Sequence, residues 1–184
     1  MQGSAILLFM ETRMSDASGI RFVPLHAEHL PLLHTWLTRP HAAQWWQPTP
    51  SIEELHADYI AVGGEPNATR AYLAFEHDTP IGFIQCYVVM GSGGGWWEEE
   101  TDPGARGIDQ FLADETRLSQ GLGRRMIRAF VERLFQDPAV TVVQTDPSPH
   151  NLRAIRCYRA AGFQDVGEVM TPDGPALLMR CHRS

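Results

Sequence analysis

Gln120-Gly-Leu-Gly-Arg-Arg-Met-Ile-Arg-Ala-Phe-Val-Glu-Arg-Leu-Phe135 is the stretch on which the fold turns. Leu122, Met126, Ile127, Phe130 and Leu134 fall on one stripe at helical spacing, so an amphipathic helix is predicted over 121–135. Gly121 and Gly123 stand at its start, where glycine lets the backbone come close to a bound group. The unpaired N–H groups of that first turn, with Arg124 and Arg125 beside them, favour an anion such as pyrophosphate. G-x-G is a weak signal alone, since a helix that merely begins with glycine reads the same. The missing third glycine excludes a dinucleotide-binding fingerprint, and the lack of a following G-K-[ST] excludes a P-loop.

The residues downstream sharpen this reading. Val140 to Gln144 is a short apolar strand. Thr145-Asp-Pro-Ser-Pro-His-Asn151 then leads into Leu152-Arg-Ala-Ile-Arg-Cys-Tyr158-Arg-Ala-Ala-Gly162-Phe163, a helix over 151–161 stopped by Gly162 at C′. Phe163 to Met170 and Pro175 to Cys181 read as strands around a Thr171-Pro-Asp-Gly174 turn. Upstream, Ala105 to Leu112 is strand-like, and Arg70 to Glu76 with Ile81 to Met90 reads as a hairpin across His77-Asp-Thr-Pro80. Ser51-Ile-Glu-Glu54 is a capping box opening a helix to about Val62, ended by Gly63-Gly64. Leu30, Leu33 and Leu37 mark an earlier helix that Pro40 closes, and Ile20 to Leu25 alternates as a strand. The order β-α-α-β-β-β-α-β-α-β-β predicts a mixed α/β fold, a mixed sheet with helices on its faces. Residues 1–18 read as a poorly ordered extension and 19–184 as a single domain.

A formal charge of −7 argues against nucleic acid as a partner and suits a cationic ligand. Cys86, Cys157 and Cys181 are too few and too irregularly spaced for a disulfide framework or a zinc site. The eight histidines form no H-E-x-x-H pattern, so no metal is expected. The apolar run Ala5 to Met10 is too short for a signal peptide or a membrane span, which points to the cytoplasm and to no membrane partner.

The double motif resembles the GNAT superfamily of N-acetyltransferases: Asn151, Ala154, Tyr158, Gly162 and Phe163 match its Asn-x-x-Ala-x-x-x-Tyr-x-x-x-Gly-Phe segment position by position. The resemblance implies a central, mostly antiparallel sheet of about seven strands flanked by about four helices. It also implies acetyl-CoA as cosubstrate, with Phe111, Leu112, Gln120, Gly121, Gly123, Arg124, Asn151 and Tyr158 as its binding residues. Leu118 departs from the pattern, which has Gln or Arg there; backbone N–H groups would hold pyrophosphate without it.

Longer strings are similar to the aminoglycoside 6′-N-acetyltransferases: His41-x-x-Gln-Trp-Trp46, Gly95-Trp-Trp-Glu-Glu-Glu-Thr-Asp-Pro-Gly104, Arg106-Gly-Ile-Asp-Gln110, Gln144-Thr-Asp-Pro-Ser-Pro149 and Thr171-Pro-Asp-Gly-Pro175. This likeness implies transfer of acetyl to the 6′-amine of an aminoglycoside, and with it antibiotic resistance. Asp109 would accept the amine's proton, a backbone N–H near Phe111 would face the developing oxyanion, and Tyr158 would protonate the departing thiolate. Trp97, Asp109, Asp146 and Asp173 would bind the polyamine; the Glu98-Glu-Glu100 run reads first as a solvated loop, with an addition to this wall, alongside Trp96, as the alternative. Gly94 stands where the close relatives carry an acid, which implies one ammonium contact fewer. A GNAT for another small amine such as a polyamine, or a non-catalytic CoA-binding module, stays open at this point. So does the choice between monomer and homodimer.

Overall fold

The computed structural model describes residues 19–61 and 69–183. The extension expected over 1–18 and the expected Gly63-Gly64 helix stop lie outside the described residues.

Seven strands form one sheet: β1 (Ile20–Pro24), β2 (Arg70–Glu76), β3 (Thr79–Val88), β4 (Ala105–Leu112), β5 (Val142–Thr145), β6 (Gln164–Thr171) and β7 (Gly174–His182). Their spatial order is β1-β2-β3-β4-β5-β7-β6. β4 and β5 run parallel, and the other neighbouring pairs are antiparallel. The helices are α1 (Leu30–Leu37), α2 (Pro40–Ala43), α3 (Ile52–His56), α4 (Leu122–Leu134) and α5 (Leu152–Ala160). None of the helices described is long and apolar enough to cross a membrane.

The sheet divides two cores. The stripe read along 121–135 buries Leu122, Met126, Ile127 and Phe130 of α4 against Phe22, Ile84, Ile108 and Val143, together with Ile155 and Tyr158 of α5. The opposite face packs α1 to α3 on the sheet through Leu30, Leu33, Trp36, Leu37 and Leu55, which meet Leu73, Phe83 and Phe111. Strand alternation therefore sends Ile108 and Leu112 toward α4 and α5, and Phe111 toward α1 to α3.

Two local readings need correction. Pro40 does not simply close the first helix. Arg39 is extended before it, and Pro40 then opens α2 at a helix-start position, where its missing N–H costs nothing. The capping box at Ser51 forms, with Ser51 Oγ accepting from Glu54 N at 3.2 Å and Glu54 accepting from Ser51 N at 2.7 Å. Its helix, however, widens into a π turn over Ala57–Ala61. That wider turn directs Tyr59 and Ile60 against the core beside Phe83.

Candidate active site

The site begins where two parallel strands part. β5 pairs with β4 only at Ala105↔Val142, Arg106↔Val143 and Gly107↔Gln144. Past Gly107, β4 continues for five residues without a β5 partner. Pro147 and Pro149 have no N–H to extend the ladder, and the Pro147 carbonyl instead accepts from Leu177 N at 2.9 Å. The chain thus follows β7 away from β4, which opens a wedge in the sheet.

On one side of the wedge lies a pocket of about 410 Å³ lined by Phe111, Leu112, Leu118, Gly121, Gly123, Arg124 and Asn151, with Trp45 and His41 opposite. Gly121 caps α4 in the left-handed region (φ 81°), a conformation glycine takes without strain. A Cβ on Gly123 would lie 3.2 Å from Cys157 Sγ, so glycine here lets α4 and α5 close on each other. Asn151 caps α5, its Oδ1 accepting from Ala154 N at 3.1 Å. The Gln120 side chain, read as cofactor-binding, does not line this pocket; its Nε2 donates to the Thr116 carbonyl at 2.6 Å. Leu118, where the family pattern is polar, supplies an apolar wall.

The other side of the wedge is acidic. Asp109 projects from the unpaired half of β4 and is half-buried. Burial raises its pKa, the hydrogen bond from Gln85 opposes that, and the charge of Asp173 adds to the rise. Burial, then Asp109 and Asp173, push Asp146 up to about 7. The charge of Asp173 acts on Asp109, and those of Asp109 and Asp173 act on Asp146, so the three carboxylates lie within electrostatic reach of one another. The turn that carries Asp173 touches the tryptophan loop, since a Cβ on Gly95 would lie 3.5 Å from Pro172 Cγ. Trp97 packs with Tyr87, Val89, Ala105 and Val142.

Tyr158 is 3% exposed and packs in the α4–α5 core against Phe163; read as cofactor-binding, its side chain does not line the pocket. Burial and the charge of Asp109 raise its pKa, while hydrogen bonds with Thr145 and Gln110 lower it, so it stays protonated at neutral pH. The charge of Asp109 thus acts on Tyr158 across the sheet.

The structure adds residues that the sequence reading passed over. Tyr59 Oη donates to Gln85 Oε1 at 2.6 Å, and Gln85 Nε2 donates to Asp109 Oδ2 at 2.9 Å. This chain orients the carboxylate. Its one trace in the sequence is a glutamine within the otherwise apolar run Ile81 to Val89. Glu100, read with its run as solvated, is instead engaged: Arg180 Nη2 donates to Glu100 Oε2 at 2.6 Å and to Gln144 Oε1 at 3.0 Å. Glu100 therefore ties the tryptophan loop to β5 and β7, while Glu98 and Glu99 are exposed.

Gly107 sits at the fork, and a Cβ there would fall 2.1 Å from Tyr87 Cζ. Gly107→Ala is expected to displace the Tyr87 ring and destabilise the fold by about 1–3 kcal/mol. Thermal melting of the two proteins, read alongside total tryptophan fluorescence, checks this.

Comparison with known proteins follows the same lines. Residues 26–171 match the acetyltransferase (GNAT) domain family. Over 171 residues, 91% of its length, the chain is 48% identical to the aminoglycoside N(6′)-acetyltransferase type 1 of Klebsiella pneumoniae, of which it covers 84%. Over 86 residues, 47% of its length, it is 66% identical to a kanamycin resistance protein of Rhizobium radiobacter, of which it covers 80%. Its fold matches the aminoglycoside acetyltransferase AAC(6′)-Ib, solved with coenzyme A and kanamycin, with a TM-score of 0.84 and 48% identity, over 89% of this chain and 95% of that one.

Proposed function

Because this chain belongs to the acetyltransferase (GNAT) family, we propose that its two-sided wedge transfers acetyl from acetyl-CoA to the 6′-amine of an aminoglycoside and thereby confers resistance. In this reading residues 19–184 act as one domain in the cytoplasm. The observation that carries it is the division of the wedge: a glycine- and arginine-lined pocket on one side, three carboxylates within electrostatic reach of one another on the other.

The pocket residues fit CoA. The first-turn N–H groups of α4 lie where Gly121 lets a diphosphate approach, and Arg124 adds a cation. Acetyl-CoA, when bound, supplies an acyl group activated as a thioester. Asp146 and Asp173 hold ammonium groups of the acceptor, and Trp97 walls the site. Asp109, oriented by Gln85, takes a proton from the 6′-ammonium, directly or through water, so that the nitrogen lone pair can form the new C–N bond. A β4 N–H near Phe111 donates to the carbonyl oxygen as its charge grows. The Tyr158 hydroxyl gives its proton to the thiolate as the C–S bond breaks.

A coupled CoA-release assay with kanamycin, tobramycin, spermidine and an aminoglycoside bearing a 6′-hydroxyl tests the reading. Turnover is expected with the two 6′-amino drugs only. Release with spermidine alone, or with none of the four, overturns the acceptor. Tyr158→Phe is expected to lower kcat about 10-fold with the KM for acetyl-CoA unchanged, because water can replace a general acid in part. An effect on acetyl-CoA KM alone would make Tyr158 a packing residue.

A further inference from the structure

In a chain of net charge −7, most arginines have a fixed partner. Arg117 and Arg125 pair with Glu76, Arg159 with Asp165 and Arg180 with Glu100, while Arg183 donates to backbone carbonyls. Arg124, Arg153 and Arg156 differ: all three line the α4–α5 pocket, and none makes an ion pair or hydrogen bond among the described residues. The charges of Arg124 and Arg153 both act on the Cys157 thiol, which sits between α5 and Gly123 of α4. Arg153 and Arg156 stand three residues apart on α5, neighbours on the helix surface.

Each helix brings its own cations to the pocket. Arg124 Nη2 lies 3.9 Å from where a Cβ of Gly121 would be, so it serves the same diphosphate as the start of α4. Arg153 and Arg156 reach the same pocket from the facing helix, α5, and not from the start of α4. Two adjacent arginines match a phosphate monoester, whose charge near −2 and three terminal oxygens suit forked N–H donors. CoA carries one such group, the 3′-phosphate of its ribose. We propose that Arg153 and Arg156 form a recognition site for this 3′-phosphate and make the protein select CoA over dephospho-CoA. The inference rests on the acetyl-CoA reading above and adds a specificity to it that the glycine loop alone lacks.

Calorimetric titration of the full chain with CoA and with dephospho-CoA, without drug, tests it. The wild-type protein is expected to bind CoA about 10- to 100-fold more tightly than dephospho-CoA. Arg153→Gln with Arg156→Gln should abolish that gap while dephospho-CoA affinity stays within about 2-fold of wild type. Equal wild-type affinity for the two ligands overturns the inference and leaves the acetyl-CoA reading intact. A double variant that weakens both ligands alike, or keeps the gap, also overturns it. Failure of the wild-type protein to bind either ligand would sink the acetyl-CoA reading itself. The wild-type comparison requires no variant to fold, and Arg153→Lys with Arg156→Lys should keep part of the gap through charge alone.

Discussion

Asp109→Asn is expected to lower kcat by about 100- to 10,000-fold, the usual contribution of a positioned general base. The substitution preserves shape, and Gln85 Nε2 still meets an oxygen at the same place, so the fold and its Tyr59–Gln85 tether should survive. Acetyl-CoA affinity should not change, since the pocket formed by Gly121, Gly123 and Asn151 lies on the other side of the wedge and does not include Asp109. The pH profile gives a second readout. Burial raises the pKa of Asp109, which makes it a stronger base than an exposed aspartate. In the wild-type protein kcat/KM should therefore rise with pH across the range where this carboxyl ionises, and the variant should lack that limb. Turnover within about 3-fold of wild type would remove Asp109 from the proton transfer.

Asp146→Asn is expected to act in opposite directions on stability and on binding. The pKa of Asp146 is raised in the folded chain to about 7, chiefly by burial and then by Asp109 and Asp173. A raised acid contributes its stability fully below the unfolded pKa near 3.8 and loses it as pH climbs through about 7. The drug-free protein should therefore soften between about pH 4 and pH 7 on account of this group. The variant should be more stable than wild type at pH 8, by on the order of 1–3 kcal/mol. Binding should move the other way. An ammonium group beside Asp146 favours its ionised form, so wild-type drug affinity should rise from pH 5 to pH 7 with proton release. The variant should raise the drug KM about 10- to 100-fold at pH 7.5. Melting curves across pH, with titrations in buffers of different ionisation enthalpy, check both arms. A variant that is less stable at pH 8 and unchanged in drug KM would make Asp146 a structural carboxylate.

Much of this architecture was legible in the chain because local rules agreed with tertiary ones. The α4 stripe, the Ser51 capping box, the hairpin turn at His77-Asp78 and the Gly162 helix stop each depend on neighbours within a few residues, and each appears where the spacing placed it. The predicted strand Ala105 to Leu112 coincides with β4. Errors arose where distant contacts decided the outcome. The π turn after His56 depends on Tyr59 finding Gln85 and Phe83, residues far along the chain. The Glu98-Glu-Glu100 run reads as solvated, which Glu98 and Glu99 are, but Arg180, 80 residues away, engages Glu100.

The same division holds for the site. The sequence alone determined that Gly121 and Gly123 open a helix, that another begins at Asn151, and that an acidic chain presents Asp109, Asp146 and Asp173 in three separate segments. Those properties belong to single residues and their near neighbours. Only the tertiary structure decided that the three carboxylates come within electrostatic reach of one another, that Gln85 aims Asp109, and that Arg153 and Arg156 line the pocket with no ion pair among the described residues. The cause is the parting of β4 from β5 beyond Gly107. Two prolines turn the second strand away, and the wedge this opens brings distant segments to one gap.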